Sequence, residues 1–464
     1  MSASVVQLIA RGPQDIYLTS YPQVTFFKSV YHRYSSFATE YIQQIMNGNP
    51  GPGSRVSVTL SRNGDLISDI VIAIRTAKLF EIDPVQSLNV CADLGHAIFQ
   101  SFEIEIGGQI IDTQYSKWLT IWRDLTEVNQ LGIQGIPSGT RSSREPDCIG
   151  IFNGNPPESV NNCSTVYQRM SFTHKNYTYV PGQDIYKSNP VFQGPPEFYI
   201  PLRFWFCRNP GLALPLISLQ YHEIKLNIVF NNIKHIFNQI PPEPVPPVDP
   251  PVPPVPPISI TTNYSSNISI YTQYVYLDTA ERKRFAQNTH EYLIEQVQYQ
   301  KATGNQIKLN FNHPVKELIV TGSYEYSSDS SFNYPATPLP IVPGVNTSTS
   351  YYNMMLKFNG TDRFSARNLN YFTRNQIWDH HTGFGSVLFP DSIAVYSFAI
   401  RPEEHQPSGT CNFSRIDNAI LVFDSFNSTI NNTGLLNNLN LDIYAVNLNI
   451  FRVMSGMGGL AYSN

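Results

Sequence analysis

Charged residues are scarce in this chain. Asp, Glu, Lys and Arg make up only 14% of its 464 residues, whereas Tyr, Phe and Pro number 27, 27 and 35. Few charges leave little to solvate the outer faces of helices, and aromatic residues favour half-buried strands joined by turns. The composition therefore predicts an all-β protein, and the length predicts two or three domains.

Positive charge is in especially short supply. The formal net charge is −4, and the densest basic cluster is the Glu-Arg-Lys-Arg stretch at 281–284, which a short helix with a solvated face explains. A protein that binds phosphate backbones needs a basic surface. We therefore expect no direct contact with nucleic acid.

The chain also lacks the patterns of disulfide-rich, metal-knuckle and membrane-spanning proteins. Its five cysteines are odd in number, scattered and never spaced as Cys-x-x-Cys, so we expect free thiols and a reducing compartment. No apolar stretch approaches the roughly 20 residues that cross a bilayer, and no signal peptide is visible at the N-terminus. The cysteines are Cys91, Cys148, Cys163, Cys207 and Cys411.

Proline, in contrast, is concentrated in one place. The stretch PPEPVPPVDPPVPPVPP at 241–257 is mostly proline, so it has few backbone donors and cannot lie inside a sheet. It is expected to be an extended, semi-rigid segment. We interpret it as a linker or a surface loop, and a ligand for a proline-reading module is the other interpretation.

The halves of the chain on either side of this segment follow one pattern. FATEYIQQ (37–44) and RVSVTLSRNGDLISDIVIAI (55–74) correspond to HEYLIEQVQ (290–298) and NQIKLNFNHPVKELIVTG (305–322). In both halves a Glu-Tyr strand leads to an alternating strand, a turn and a third apolar run. Two tandem copies of one β-fold are the simplest explanation. Further corresponding pairs are 102–112 with 355–365, and 199–230 with 393–423.

The spacing of the strands indicates which β-fold is repeated. Hairpin-length turns alternate with long spans at 127–198 and 322–352 that are rich in Gly, Pro, Ser and Asn, and we expect these spans to be surface loops. Short turns at one end and long loops at the other are typical of an eight-stranded jelly roll of two Greek keys. The sequence therefore predicts two tandem jelly rolls.

Two short helices interrupt this pattern. One is predicted within 115–128, where four large apolar residues recur at helical spacing and should pack one face onto a sheet. The other is predicted over 277–287, with Asp278 or Thr279 as its N-cap. The apolar face of the first helix consists of Trp118, Leu119, Trp122 and Leu125.

One stretch has the composition of a hydrolytic site. In RPEEHQPSGTCNFSRIDNA, residues 401–419, the polar side chains crowd one turn whose path is set by Pro402, Pro407 and Gly409. A catalytic nucleophile needs a base within hydrogen-bond reach and a third group that orients it, and no nucleophile-elbow pattern is present. We interpret the stretch as a hydrogen-bonded corner that includes Arg415 and sets loop geometry. The residues considered for a site are Glu403, Glu404, His405, Cys411 and Ser414.

The remaining chemical patterns are weaker. The two histidines at 380–381, if they lie on a strand, point to opposite faces and cannot readily share a metal. The Ile-Gly-Gly-Gln stretch at 106–109 does not open a helix as a phosphate-binding loop does, so we interpret it as a strand turn or bulge. The sequence therefore predicts no catalytic, cofactor-binding or metal-binding residues and no cofactor.

Long motifs along the whole chain, in the right order, carry a family resemblance from about Gln14 to the C-terminus. They resemble the major capsid protein family of the nucleocytoplasmic large DNA viruses. The resemblance breaks only in the loops 127–198 and 322–352 and in the proline-rich segment. The motifs include GPQDIYLTSYPQVTFFKSVYHRYSSFATE, IEIGGQIID, FWFCRNPGLALPLISLQYHEIKLNI, YLDTAERKRFAQNTHEYLIEQVQ, LKFNGTDRFSARNLNYF and YAVNLNIFRVMSGMGGLAYSN.

This resemblance implies a structural protein and no enzyme. It implies a double jelly roll that self-assembles as a homotrimeric, pseudo-hexagonal capsomer in the icosahedral capsid of the virion, assembled in the host cytoplasm. The implied partners are other capsomers, minor capsid and penton proteins and, on the inner side, a viral membrane. A glycan- or receptor-binding jelly-roll protein is the alternative, because fold alone does not separate these functions.

Combining the pattern with the resemblance, we divide the chain into four regions. The long loops are expected on the outer side of the shell and the N-terminal segment on the inner side. The regions are an inner-side segment at 1–25, a first jelly roll at 26–235, a proline-rich linker or surface loop at 236–262, and a second jelly roll with a C-terminal tail at 263–464.

Overall fold

The computed structural model describes most of the chain. The loops predicted at 127–198 and 322–352 lie largely outside the described residues, and the proline-rich segment and three of the five cysteines lie entirely outside them; Cys207 and Cys411 are free thiols. The described residues are 10–76, 79–82, 88–90, 93–127, 166–171, 177–179, 197–239, 260–322, 352–383, 385, 391–425 and 440–463.

The chain divides into two units, Met1–Phe37 and Ala38–Asn464. Within its described part, the first unit contains one helix, Pro13–Thr19, and many exposed apolar side chains. The second unit is built mainly of antiparallel strands. Among the described residues, no helix is both long enough and apolar enough to cross a membrane.

The strands are numbered in chain order. The first group is β1 (Phe37–Gln44), β2 (Met46–Asn47), β3 (Arg55–Thr59), β4 (Leu66–Arg75), β5 (Phe80–Ile82), β6 (Leu88–Val90), β7 (Phe99–Ile106), β8 (Gln109–Tyr115), β9 (Tyr177–Tyr179), β10 (Glu197–Pro201), β11 (Leu214–Pro215), β12 (Ile224–Phe230), β13 (Phe237–Gln239), β14 (Ile260–Thr262) and β15 (Ile268–Leu277). The second group is β16 (His290–Thr303), β17 (Gln306–Leu309), β18 (Pro314–Gly322), β19 (Tyr352–Phe358), β20 (Thr361–Asp362), β21 (Arg367–Asn368), β22 (Ile393–Ser397), β23 (Cys411–Asn412), β24 (Ala419–Ser425), β25 (Asn440–Met454) and β26 (Met457–Leu460).

Short helices connect these strands. The α-helices are α1 (Pro13–Thr19), α2 (Leu94–Ala97), α3 (Ser116–Thr126), α4 (Val166–Ser171), α5 (Trp205–Arg208), α6 (Tyr264–Asn267), α7 (Thr279–Gln287) and α8 (Gln376–His380). Single turns of 3-10 helix lie at Pro210–Leu212, Ile233–His235 and Phe413–Arg415, and a π-helical turn at Tyr371–Asn375 precedes α8.

The first barrel is a sandwich of two sheets. One has the order β1-β15-β4-β10, with β11 on β4, and the other has the order β2-β3-β12-β7-β8. In β7 the buried residues Phe102, Ile104 and Ile106 alternate with Glu103 and Glu105. The period-two alternation thus places one face of the strand in the core, as expected for a half-buried strand.

The second barrel repeats this order. Its sheets run β16-β25-β18-β22 and β17-β24-β19-β20, with β23, β26 and β21 as short additions, so β1, β15, β4 and β10 correspond to β16, β25, β18 and β22. Its own core lies between Leu318 and Val320 on one sheet and Leu356 and Leu421 on the other. The predicted all-β double jelly roll is confirmed, and the count of eight strands per barrel stays a prediction.

Strand β15 corrects one predicted boundary. The division at residue 263 assigned Ile268–Leu277 to the second jelly roll, but this strand pairs with β4 from Ile268–Ile74 to Val275–Leu66. That placement is wrong because β15 is the closing strand of the first barrel, as β25 is of the second. The correspondence at sequence level had not included these two strands.

Two hairpin turns show the repeat at the level of single residues. Gly107 and Gly108 join β7 to β8 with φ of +59° and +84°, and Asn359 and Gly360 join β19 to β20 with φ of +49° and +84°. Positive φ at both central residues is typical of the two-residue turn that fits strand twist, and Gly and Asn tolerate it. The interpretation of 106–109 as a strand turn is confirmed.

Both predicted helices are present. Helix α7 begins after Asp278, whose carboxylate accepts a hydrogen bond from the Glu281 backbone N–H at 2.9 Å and so acts as the N-cap. Helix α3 spans Ser116–Thr126 and buries its tryptophan face. The sheet that receives this face is on the outside of the second barrel, so α3 connects the two barrels.

Candidate functional site: a buried junction between the barrels

The apolar part of the junction is formed by helix α3. Trp118 packs against Tyr444 of β25 with ring centroids 5.4 Å apart, and Trp122 lies beside Trp118 at 5.5 Å. The partners from β18 and β22 include Ile319 and Val395, which face away from the second barrel's own core. The helix of one barrel is therefore buried on the outer sheet face of the other.

Backbone contacts close the end of this interface. The Gly383 N–H of the second barrel donates to the Leu125 carbonyl at 2.7 Å, and the Gly385 N–H donates to the Asp124 carbonyl at 3.0 Å. A Cβ on Gly383 would lie 2.5 Å from the Asp124 and Leu125 carbonyl oxygens. Only glycine allows such close approach of two backbones.

A β-bulge in β18 directs two charged side chains into the junction. Val315 pairs with Asn447 and Glu317 with Val446, so Lys316 is an extra residue on this strand. Bulges re-aim side chains in this way. Lys316 and Glu317 are both fully buried, although the strand on either side contributes Val315 and Leu318 to the second barrel's core.

The first charged group joins three elements of the two barrels. The Lys316 ammonium lies 2.6 Å from the Glu295 carboxylate of β16, and the Arg208 guanidinium of α5 lies 2.7 Å from the other oxygen of the same carboxylate. Lys316 also donates to the Glu404 carbonyl at 2.9 Å. One carboxylate thus holds a cation from each barrel in a site that excludes most solvent.

The second charged group has a histidine at its centre. His381 lies between two carboxylates: its Nε2 is 2.9 Å from Glu317 and its Nδ1 is 3.0 Å from Glu403. A neutral imidazole has only one N–H donor, whereas an imidazolium can donate to both carboxylates. The Thr382 N–H donates to Glu403 at 2.9 Å and holds that side chain in place. The geometry favours the charged form of His381.

The pKa values follow from these contacts. Burial alone would lower the pKa of His381, but Glu317 and Glu403 outweigh it and raise this pKa from 6.5 to about 9. Burial would raise the pKa of Glu403, yet the hydrogen bonds from His381 and Thr382 outweigh it and hold that pKa below its ordinary value. With His381 charged, its cation is matched by buried carboxylates on both sides.

We predict that this histidine makes stability fall on the alkaline side. Because its folded pKa is raised, its contribution is fully present below pH 6.5 and is lost as pH rises through about 9. The contribution is about 3 kcal/mol from the shift in pKa. Urea unfolding followed by far-UV circular dichroism between pH 6 and 10 would measure it.

His381→Gln supplies the comparison, and His380→Gln is its matched control. His380 precedes His381 directly, and its Nδ1 is hydrogen-bonded to the Ile400 backbone carbonyl at 3.0 Å rather than to a carboxylate. We expect the pH dependence to weaken in His381→Gln and to persist in His380→Gln. Equal pH dependence in the wild type and in His381→Gln would contradict the charged state argued from the geometry.

The polar residues of 401–419 have separate roles. Glu403 enters the buried junction, while the Glu404 carboxylate pairs at 3.0 Å with Arg401 on the surface. Ser414 Oγ accepts a hydrogen bond from the His313 backbone N–H at 2.8 Å. Cys411, in β23, pairs with Val315 of β18. Arg415 ends the 3-10 turn Phe413–Arg415, and His405 lines a cleft described below.

The sequence indicated the wrong histidine for this corner. His381, from a distant part of the chain, contacts Glu403, whereas His405 was expected to take part. The interpretation of 380–381 on a strand is also wrong, because His380 ends α8 and His381 follows it directly. The only local signal for the true arrangement was two adjacent charged residues, Lys316 and Glu317, within an otherwise apolar strand.

Two protein-family models match this chain, one over each barrel. The model for the N-terminus of major capsid proteins matches residues 25–278, and the model for the large eukaryotic DNA virus major capsid protein matches residues 281–459. The chain belongs to this family. The two matched regions meet just after β15, in agreement with its place in the first barrel.

Relatives match over the whole length of this capsid protein. The major capsid protein of Pyramimonas orientalis virus is 38% identical, and that of Paramecium bursaria Chlorella virus 1 is 35% identical, with all of both chains covered. A chain of the quasi-atomic model of the PBCV-1 virus capsid has 31% identity and a TM-score of 0.63, with 95% of this chain and 100% of that chain covered. The prediction of a structural capsid protein of a large DNA virus, and not an enzyme, is confirmed.

Proposed function

We propose that three copies of this chain form a capsomer with six similar barrels and a pseudo-hexagonal outline, and that capsomers tile an icosahedral shell. The observation that supports this most is the buried junction, because it makes two barrels of equal topology into one block. Jelly rolls also leave sheet edges that need cover, and a closed ring of barrels covers them.

Light scattering after size exclusion, with negative-stain images of the same peak, tests this proposal. We expect a mass of three chains and a hexagonal outline. A clean monomer at every concentration would contradict self-assembly. A monomer that instead binds sugars on a glycan array would favour the alternative, a glycan- or receptor-binding jelly-roll protein.

We propose that the N-terminal segment, 1–25, is directed to the inner side of the shell. The support is its surface: within this segment, Tyr17, Leu18 and Tyr21 are 89%, 81% and 96% exposed, and exposed apolar surface of this extent marks an interaction site. Minor capsid proteins, penton proteins and an inner viral membrane are the proposed partners, and assembly is proposed in the host cytoplasm. We propose no direct contact with nucleic acid.

Binding to lipid vesicles and to the shell's minor proteins tests the inner-side role. The triple variant Tyr17→Ser/Leu18→Ser/Tyr21→Ser should still form trimers but should lose these interactions. Unchanged binding by this variant would contradict the role given to the segment.

We also propose a revised division of the chain. The first jelly roll extends to Leu277, the end of β15, and the proline-rich segment is an insertion within the sequence of this barrel rather than a linker between barrels. The support is that β14 and β15 follow the segment and still pair with β5 and β4. Deletion of 241–257 should then leave trimer formation intact.

A further inference from the structure

A cleft with a volume of about 330 Å³ lies beside the charged junction. Its walls come from both barrels: Thr126 at the end of α3, together with α5 and the residues that follow it, on one side, and Glu295 of β16 with Glu403 and His405 on the other. The volume is in the range of small-molecule sites. The side chains that matter for its chemistry are Trp122, Trp205, Arg203, Arg208, Glu295 and Glu403.

The cleft combines apolar surface with guanidinium groups. Trp122 and Trp205 are almost fully buried, so only a small part of each ring faces the cleft. The Arg208 guanidinium lies 5.4 Å from the Trp122 ring centroid, and the Arg203 guanidinium lies 5.6 Å from that of Tyr167. Arginines held against rings in this way are oriented for binding planar anionic groups.

The charges around the cleft leave one cation without a carboxylate partner. Glu295 is shared by Lys316 and Arg208, and Glu403 is bound by His381, so both carboxylates of the cleft are already matched. Arg203 makes no ion pair within the described part of the chain. Asp69 interacts electrostatically with Arg203 without a direct ion pair, and its carboxylate accepts hydrogen bonds from the Tyr41 hydroxyl and the Ile70 N–H.

Arg208 adds a second unmatched donor. Its Nε is buried and has no hydrogen-bond partner among the described residues, while its terminal nitrogen is held by Glu295. A buried donor without a partner is costly. The site therefore offers guanidinium donors to an incoming group and no free carboxylate that would repel an anion.

We propose that this cleft binds a small organic oxyanion, with a phosphate or carboxylate group on Arg203 and an apolar part against the tryptophans. Such a ligand would contact both barrels at once. It would bind only where the barrels are docked, and would therefore stabilise the junction by an amount that rises with the logarithm of its free concentration above its Kd.

Titration calorimetry of the full-length protein with phenyl phosphate and with phenylacetate, at constant ionic strength, tests the proposal. We expect at least one probe to bind the wild type, and the preferred probe identifies the acidic group. Arg203→Gln should weaken that binding at least tenfold. Arg203→Lys keeps the positive charge but loses the planar guanidinium. Its affinity for the probe should lie between those of the wild type and Arg203→Gln.

Arg401→Gln is the matched control, because Arg401 is an exposed arginine outside the cleft. It should bind as the wild type does. Absence of binding by the wild type at millimolar concentrations of both probes would overturn the proposal. So would equal binding by the wild type and Arg203→Gln, which would show that any affinity lies elsewhere on the surface.

Discussion

Replacing Glu295 with leucine is expected to lower the free energy of unfolding by about 3–5 kcal/mol. This carboxylate is the shared partner of Lys316 and Arg208. Among the described residues, its loss would leave the fully buried Lys316 ammonium with only the Glu404 carbonyl as a hydrogen-bond partner. An uncompensated buried charge is much more costly than the ion pair was worth. Urea unfolding at neutral pH, followed by circular dichroism, measures the change.

Glu291→Leu is the control for this prediction. Glu291 lies on the same strand and pairs with Arg452 at 2.7 Å, but both side chains are at least half exposed. Exposed pairs contribute at most about 1 kcal/mol, so this variant should be close to wild type. Adding Lys316→Met to Glu295→Leu should recover part of the lost stability, because the buried ammonium that has lost its carboxylate partner is then removed. Equal effects of Glu295→Leu and Glu291→Leu would contradict the importance of the buried group.

Trp118→Ala is expected to lower the free energy of unfolding by a similar amount, about 3–5 kcal/mol. The indole is 2% exposed and fills the space between α3 and Tyr444, so its removal leaves a cavity that the two rigid barrels cannot close. The same unfolding measurement applies. In addition, limited proteolysis should cut the loop around Gly383 faster, because that loop is held against the end of α3.

Trp378→Ala is the matched substitution. This indole is 83% exposed on α8 in the single chain, and a surface change of this kind should alter the stability of the isolated chain by no more than about 0.5 kcal/mol. A small effect of Trp118→Ala, comparable to that of Trp378→Ala, would mean that α3 does not hold the barrels together.

Local patterns were enough to predict much of this fold. Alternation predicted β7 and β17, an apolar run predicted β18, helical spacing predicted α3, and the Asp278 cap marked the start of α7, because each depends on neighbours in sequence. The two-residue turns at Gly107 and Asn359 were visible for the same reason. The repeat of strand order followed from these local elements, apart from β15, which the predicted boundary at residue 263 assigned to the second barrel.

The junction could not be predicted in the same way. Its contacts join residues far apart in the chain: Arg208 to Glu295, and His381 to both Glu317 and Glu403. The bulge at Lys316 depends on the register against β25, which a single strand does not reveal. Helix α3 was expected on a sheet, but nothing in its own residues says that the sheet belongs to the other barrel.

The central claim is that buried contacts join the two barrels into one block of the capsid. Thermal unfolding of the full-length protein carrying Trp378→Phe, which removes the exposed indole, tests it most directly. Tryptophan fluorescence then reports on the buried Trp118, Trp122 and Trp205, which lie at the junction or line the cleft beside it, and far-UV circular dichroism reports on the sheets of both barrels. The account predicts one cooperative transition with the same midpoint by both probes. A fluorescence transition that is complete while the sheets remain folded would mean that the barrels separate before they unfold, and would contradict it.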